Sequence, residues 1–83
     1  MKPIFQLYSR PGCHLCERLL EDMMPLVRGK ADVEVVNIDE DSELRQRFDI
    51  RVPVLAFAGR TICEAQLDKT AVQAVLAGIS AET

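Results

Sequence analysis

The stretch Ser9-Arg10-Pro11-Gly12-Cys13-His14-Leu15-Cys16 decides how the rest of the chain is read. It follows a short apolar run, Ile4 to Tyr8. It precedes apolar residues at helical spacing: Leu15, Leu19, Leu20, Met23 and Val27. Turn formers separate the two patterns, so the stretch is a strand-to-helix connection. Cys13 then stands at a helix N-terminus, where unpaired backbone N–H groups and the positive end of the macrodipole favour a thiolate. Cys16, three residues on, lies one turn inside and faces Cys13. That geometry suits reversible disulfide chemistry.

Other uses of cysteine compete with this reading. A cysteine is often only a buried small hydrophobe. Half of a zinc site is a second option, but zinc usually takes four ligands at paired spacings. Only His14 and Cys63 remain as candidate ligands, so spacing and context favour redox chemistry over metal. A c-type haem is excluded because no histidine follows Cys16 directly.

Length and composition set bounds. Eighty-three residues form a single domain, 1–83, with a small core. A net charge of −3 with 10 basic residues carries no nucleic-acid footprint. No apolar run reaches the length of a membrane span, and Met1-Lys2-Pro3-Ile4 lacks a signal-peptide core. The expectation is a cytoplasmic monomer with no membrane or nucleic-acid partner. In that compartment a close cysteine pair is more often catalytic or metal-binding than structural. Three cysteines, an odd count, also argue against a static disulfide framework.

Outward from the motif, Pro3 to Tyr8 reads as a first strand and a helix starts at Cys13 or His14. Its buried stripe is Leu15, Leu19, Met23 and Val27, and Pro25 kinks or ends it, with Gly29 closing the connection. Val33 to Ile38 is a second strand, apolar enough to be largely buried. The acidic run Asp39-Glu40-Asp41-Ser42-Glu43 fits a helix N-cap with acids in the first turn better than a cation site. A short helix, Glu43–Phe48, follows with Leu44 and Phe48 as its apolar pair. Val52 to Phe57 is a third strand, Ala58-Gly59-Arg60 a hairpin turn, and Thr61 to Cys63 an antiparallel fourth. Asp68 caps a last helix whose buried stripe is Val72, Val75, Leu76 and Ile79. Ser80 to Thr83 reads as a frayed tail.

The order strand, helix, strand, helix, strand, strand, helix, with Cys-x-x-Cys after the first strand, resembles the glutaredoxin branch of the thioredoxin superfamily. It is most similar to short bacterial glutaredoxin-like proteins. Leu7 to Cys16 and Arg51-Val52-Pro53-Val54 carry the resemblance. It implies an α/β, thioredoxin-like three-layer fold with a four-stranded mixed sheet and three helices. It implies a thiol–disulfide oxidoreductase with Cys13 as nucleophile, its pKa lowered, and Cys16 as resolving cysteine. Val52 and a cis Pro53 would pair with the substrate backbone. Arg10 would hold a glutathione carboxylate and Asp68 the other end of glutathione, with glutathione as co-substrate and no tightly bound cofactor. The partners implied are protein or glutathione mixed disulfides, with glutathione or a reductase as electron donor.

The chain departs from that pattern in two places. The cysteines enclose His14-Leu15, not Pro-Tyr or Gly-Pro, and Glu64-Ala65 stands where glutaredoxins have paired glycines. A carboxylate and a methyl there would obstruct or repel anionic glutathione. His14 is either an exposed spacer or a residue that tunes Cys13. Arg10 is either an anion anchor or a solvated loop charge, and Cys63 a buried strand cysteine or a third redox thiol. The competing function is non-catalytic: metal or iron–sulfur binding through the thiolates, or partner binding in the fold's groove.

Overall fold

The computed structural model describes residues 2–82, with side chains through residue 79. The elements are β1 (Ile4–Ser9), α1 (His14–Val27), β2 (Asp32–Asn37), a turn of 3-10 helix (Ile38–Glu40), α2 (Ser42–Phe48), β3 (Val54–Phe57), β4 (Arg60–Glu64) and α3 (Lys69–Glu82). The sheet order is β2-β1-β3-β4; β1 runs parallel to β2 and antiparallel to β3, and β3 antiparallel to β4. The four-stranded mixed sheet, three helices and βαβαββα order are those implied above.

The layers follow from strand alternation. Phe5 and Leu7, on one face of β1, join Leu55 of β3 in a core closed by Leu19, Met23 and Val27 of α1 and by Val72 and Leu76 of α3. Phe5 and Phe57 meet in that core with ring centroids 4.9 Å apart. Tyr8 and Val54, on the opposite face, meet Ile38, Leu44 and Phe48. Tyr8 and Phe48 stack with centroids 4.5 Å apart, which fastens α2 to the second face. α2 starts at Ser42, one residue before the expected Glu43, because Asp41 accepts the N–H groups of Glu43 at 2.9 Å and Leu44 at 3.3 Å. Asp68 does the same for α3, accepting the Ala71 N–H at 3.0 Å. The β3–β4 hairpin turns through Ala58 (φ 52°) and Gly59 (φ 80°), the positive angles that a two-residue turn matched to strand twist requires.

Five expectations are corrected. Leu15 does not join the buried stripe; it is 54% exposed, and Cys16 is buried instead. A strict i, i+4 series drifts about 40° per step, hence about 120° between Leu15 and Val27. Cys16 and Val27, eleven residues apart, stay within about 20° of one line. β2 is an edge strand rather than a largely buried one, and Val35 is half exposed because the helices cover the sheet's centre. Pro25 neither ends nor breaks α1, which runs to Val27. Near the helix end only one ladder bond is forfeited; the Arg28 N–H still reaches Met24 O at 3.1 Å, and Gly29 (φ 76°) makes the exit. β3 begins at Val54, two residues late, since Pro53 has no N–H for the ladder. The backbone of α3 is helical through Glu82, where a frayed end was expected, and Thr83 lies outside the described residues.

Candidate active site

Cys13 is the N-cap of α1, with extended backbone angles (φ −88°, ψ 104°). Gly12 (φ 78°) turns the chain into it, and the Cys13 N–H donates to Arg10 O at 3.3 Å. The Cys13 carbonyl accepts the first helical bond, from the Glu17 N–H at 3.1 Å. Its Sγ accepts the Cys16 N–H at 3.1 Å, taking the place that a serine or aspartate oxygen usually fills at a cap. The two sulfurs are joined in a disulfide, with Cα atoms 5.2 Å apart. Cys13 is partly exposed, whereas Cys16 is 5% exposed beside the apolar stripe. Cys13 stands partly exposed at a helix N-terminus, and Cys16 is buried one turn inside it.

The Val52–Pro53 bond is cis, as the resemblance implied. Its loop is held at both ends. Phe48 O, at the end of α2, accepts the N–H groups of Arg51 at 2.9 Å and Val52 at 3.2 Å. Pro53 O accepts the Ala65 N–H at 2.9 Å, tying the loop to the segment after β4. β1 pairs Tyr8 with Val54; carried one residue further, that register sets Pro53 level with Ser9, on the strand leading to Cys13.

The charges around the motif are engaged with one another. Arg10 donates to Asp39 Oδ1 at 2.8 Å, to Asp49 Oδ1 at 2.9 Å and to the Asp49 carbonyl at 2.9 Å. The hydrogen bond from Arg10 holds the Asp39 carboxyl below its ordinary range. Arg51 binds Glu64 Oε1 through Nε at 2.7 Å and through Nη2 as well. Arg51 also lies over the Phe48 ring, 5.4 Å from its centroid. His14 is almost wholly in solvent, 97% exposed, with Nδ1 3.9 Å from Glu17. Asp68 spends one carboxylate oxygen on the α3 cap. Cys63, half-buried opposite Leu55, has its thiol pushed upward in pKa by that burial. Ala65 takes a left-handed conformation (φ 65°) that one of the paired glycines would adopt freely.

The sequence reading missed Asp49, and it missed the pairing of Arg51 with Glu64. No local signal marks either, because the partners are 39 and 13 residues apart. Between α1 and the β4–α3 connection a cavity of about 350 Å³ is lined by Leu15, Leu19, Ala65 and Leu67, with Arg18 and Lys69. Among the described residues, no cluster of three or more His, Cys, Asp or Glu could hold a metal ion. No described helix is long and apolar enough to cross a membrane.

Comparison with known proteins gives a consistent result. A structural-genomics target protein from X. campestris, solved by X-ray, is 32% identical and has a TM-score of 0.68, covering 89% of this chain and 96% of its own. Its solution structure is 33% identical at the same TM-score, over 89% and 92%. The germline-specific thioredoxin Deadhead from Drosophila melanogaster is 21% identical with a TM-score of 0.53, over 93% and 80% of the two chains. That last likeness is one of fold. No curated protein matches. The family model described as Glutaredoxin-like domain (DUF836) matches residues 5–77, so this thioredoxin-fold chain, with its Cys13–Cys16 pair, belongs to the glutaredoxin-like domain family.

Proposed function

We propose that the chain is a thiol–disulfide oxidoreductase that reduces disulfides through Cys13 and Cys16 in cell redox homeostasis. The observation that carries this reading is the asymmetry of the pair. Cys13 caps α1 and takes the Cys16 N–H on its sulfur, while Cys16 is buried behind it.

The reaction follows from that arrangement. In the reduced protein the cap N–H and the helix terminus stabilise a Cys13 thiolate. The thiolate attacks one sulfur of a substrate disulfide, forming a mixed disulfide and releasing the other sulfur as a thiolate that takes up a proton. Cys16 gives up its proton and attacks Cys13 Sγ. This closes the Cys13–Cys16 disulfide and expels the second substrate thiolate. Two electrons have passed to the substrate, and two thiols from glutathione or a reductase dithiol restore the protein. Val52 and the cis Pro53 offer the substrate a backbone edge beside Cys13. His14 forms part of the solvent rim, and Arg10 and Asp68 brace the loops on either side. A cytosolic setting fits a chain that keeps Cys63 free.

Serine variants separate the roles. Cys13→Ser abolishes exchange with a model disulfide such as hydroxyethyl disulfide. Cys16→Ser still reacts once and accumulates the mixed disulfide, read as an added mass on intact protein. Retained turnover in Cys13→Ser, or an adduct on Cys16 in Cys13→Ser comparable to that on Cys13, contradicts the assignment.

A further inference from the structure

The resemblance implied a glutathione site with a cation waiting for a carboxylate, and the geometry points elsewhere. Two arginines belong to the loops that frame Cys13: Arg10 precedes it by one turn, and Arg51 leads into the cis Pro53. Each already holds a carboxylate of the chain itself. Arg10 is clasped by Asp39 and Asp49, at 2.8 and 2.9 Å, and gives a further bond to the Asp49 carbonyl. Arg51 grips Glu64 through two nitrogens and reaches the Arg47 carbonyl at 3.4 Å.

We infer that these internal carboxylates occupy the anion positions beside Cys13, so that the site serves disulfides borne on polypeptides rather than glutathione. This rests on the thiol-exchange reading above. A free carboxylate must displace one tethered a few ångströms away, whose effective concentration is in the millimolar range or higher. Glutathione carries two carboxylates and a net negative charge, and would have to do this against Glu64, Asp39 and Asp49. A polypeptide needs no such anchor. It meets Leu15, half exposed between the two cysteines, and the adjoining cavity, lined by Leu19, Ala65 and Leu67 together with the charged side chains of Arg18, Asp22 and Lys69. Ile50, three residues before the cis Pro53, stands 94% exposed. Backbone edge and apolar side chains together suit an extended segment on both sides of a cystine.

Glutathione as reductant makes the distinction measurable. Its thiolate attacks Cys13 Sγ, leaving a Cys13–glutathione disulfide and a Cys16 thiolate that takes up a proton. A second glutathione thiolate then attacks the glutathione sulfur of that disulfide and releases Cys13, so glutathione disulfide departs and the protein gains two electrons. Second-order rate constants for the oxidised full chain are measured with glutathione and with uncharged 2-mercaptoethanol, at low and at about 0.5 M salt, where exposed charges are largely screened. In the wild type the glutathione to 2-mercaptoethanol ratio does not fall with salt. Glu64→Gln, which frees Arg51, and Asp49→Asn, which partly frees Arg10, each raise the low-salt ratio about three- to fivefold, the size of one exposed ion pair. High salt removes the gain. Leu15→Ser lowers the ratio of insulin reduction to hydroxyethyl disulfide reduction by about fivefold. A wild-type glutathione ratio that falls threefold in salt, or carboxylate variants that leave it where it is, overturns the inference while leaving thiol exchange intact. Absence of exchange with insulin and with hydroxyethyl disulfide alike overturns the exchange reading itself, and the inference with it.

Discussion

Replacing Phe48 by alanine removes the ring that docks α2 onto the sheet. Phe48 is 3% exposed, stacks on Tyr8, and packs with Ile38 and Val54 in the core on that face. Truncating a buried phenylalanine costs about 3–5 kcal/mol through lost transfer energy and the cavity left behind. Loss of the aromatic pair, about 0.5–1.5 kcal/mol, places this site in the upper part of that span, near ~4 kcal/mol. For a domain of this length, each kcal/mol moves Tm by roughly 4–8 °C, so the variant should melt roughly 15–30 °C lower. Urea unfolding followed by circular dichroism gives the same quantity as a shift in midpoint at constant m. The effect reaches the site, because the Phe48 carbonyl holds the N–H groups of Arg51 and Val52 ahead of the cis Pro53. Disulfide exchange should therefore slow under conditions where the variant remains folded. A loss below about 1.5 kcal/mol would refute the argument, since it would mean that α2 is held by something other than this ring.

Asp39→Asn should flatten the acid limb of stability. The Asp39 carboxyl titrates below its unfolded value because Arg10 donates to it, so its contribution is present above about pH 4 and lost as pH falls through the lower folded value. Thermal melts between about pH 5 and pH 2 test this, and equal slopes in both proteins would contradict it. For Cys63 the sign reverses. Its raised pKa adds stability that is full below about pH 8.5 and is lost as pH rises toward the folded value. In oxidised protein at about pH 8, N-ethylmaleimide should label Cys63 at least about fivefold more slowly than it labels the urea-unfolded chain. Ala58→Gly should stabilise the hairpin by about 0.5–1 kcal/mol, because Ala58 holds a positive φ that glycine adopts without strain. A lower urea midpoint for that variant would contradict the turn assignment.

The parts of this protein that local chemistry specifies were legible in the chain. Turn formers between an apolar run and a helical pattern located Cys13 at a helix start, and the structure makes it the N-cap. The acidic run Asp39 to Glu43 and Asp68 announced helix starts, because an N-cap involves only a side chain and the N–H groups two or three residues on; the structure gives the first of these caps to Asp41. Ala58-Gly59 announced the hairpin for the same kind of reason. The cis bond at Pro53 was legible only through the family resemblance; nothing in the composition of the loop demands it. Tertiary structure alone decided which strand lies at the sheet's edge, and hence that Val35 meets solvent. It decided that the helix face turned inward carries Cys16 and not Leu15, since that depends on what the helix packs against. It also decided the charge pairing. Arg10 finds Asp39 and Asp49, 29 and 39 residues away, and Arg51 finds Glu64 across two strands. Sequence spacing carries no record of such partners, because they become neighbours only once strand register and helix docking have brought their loops to one end of the sheet.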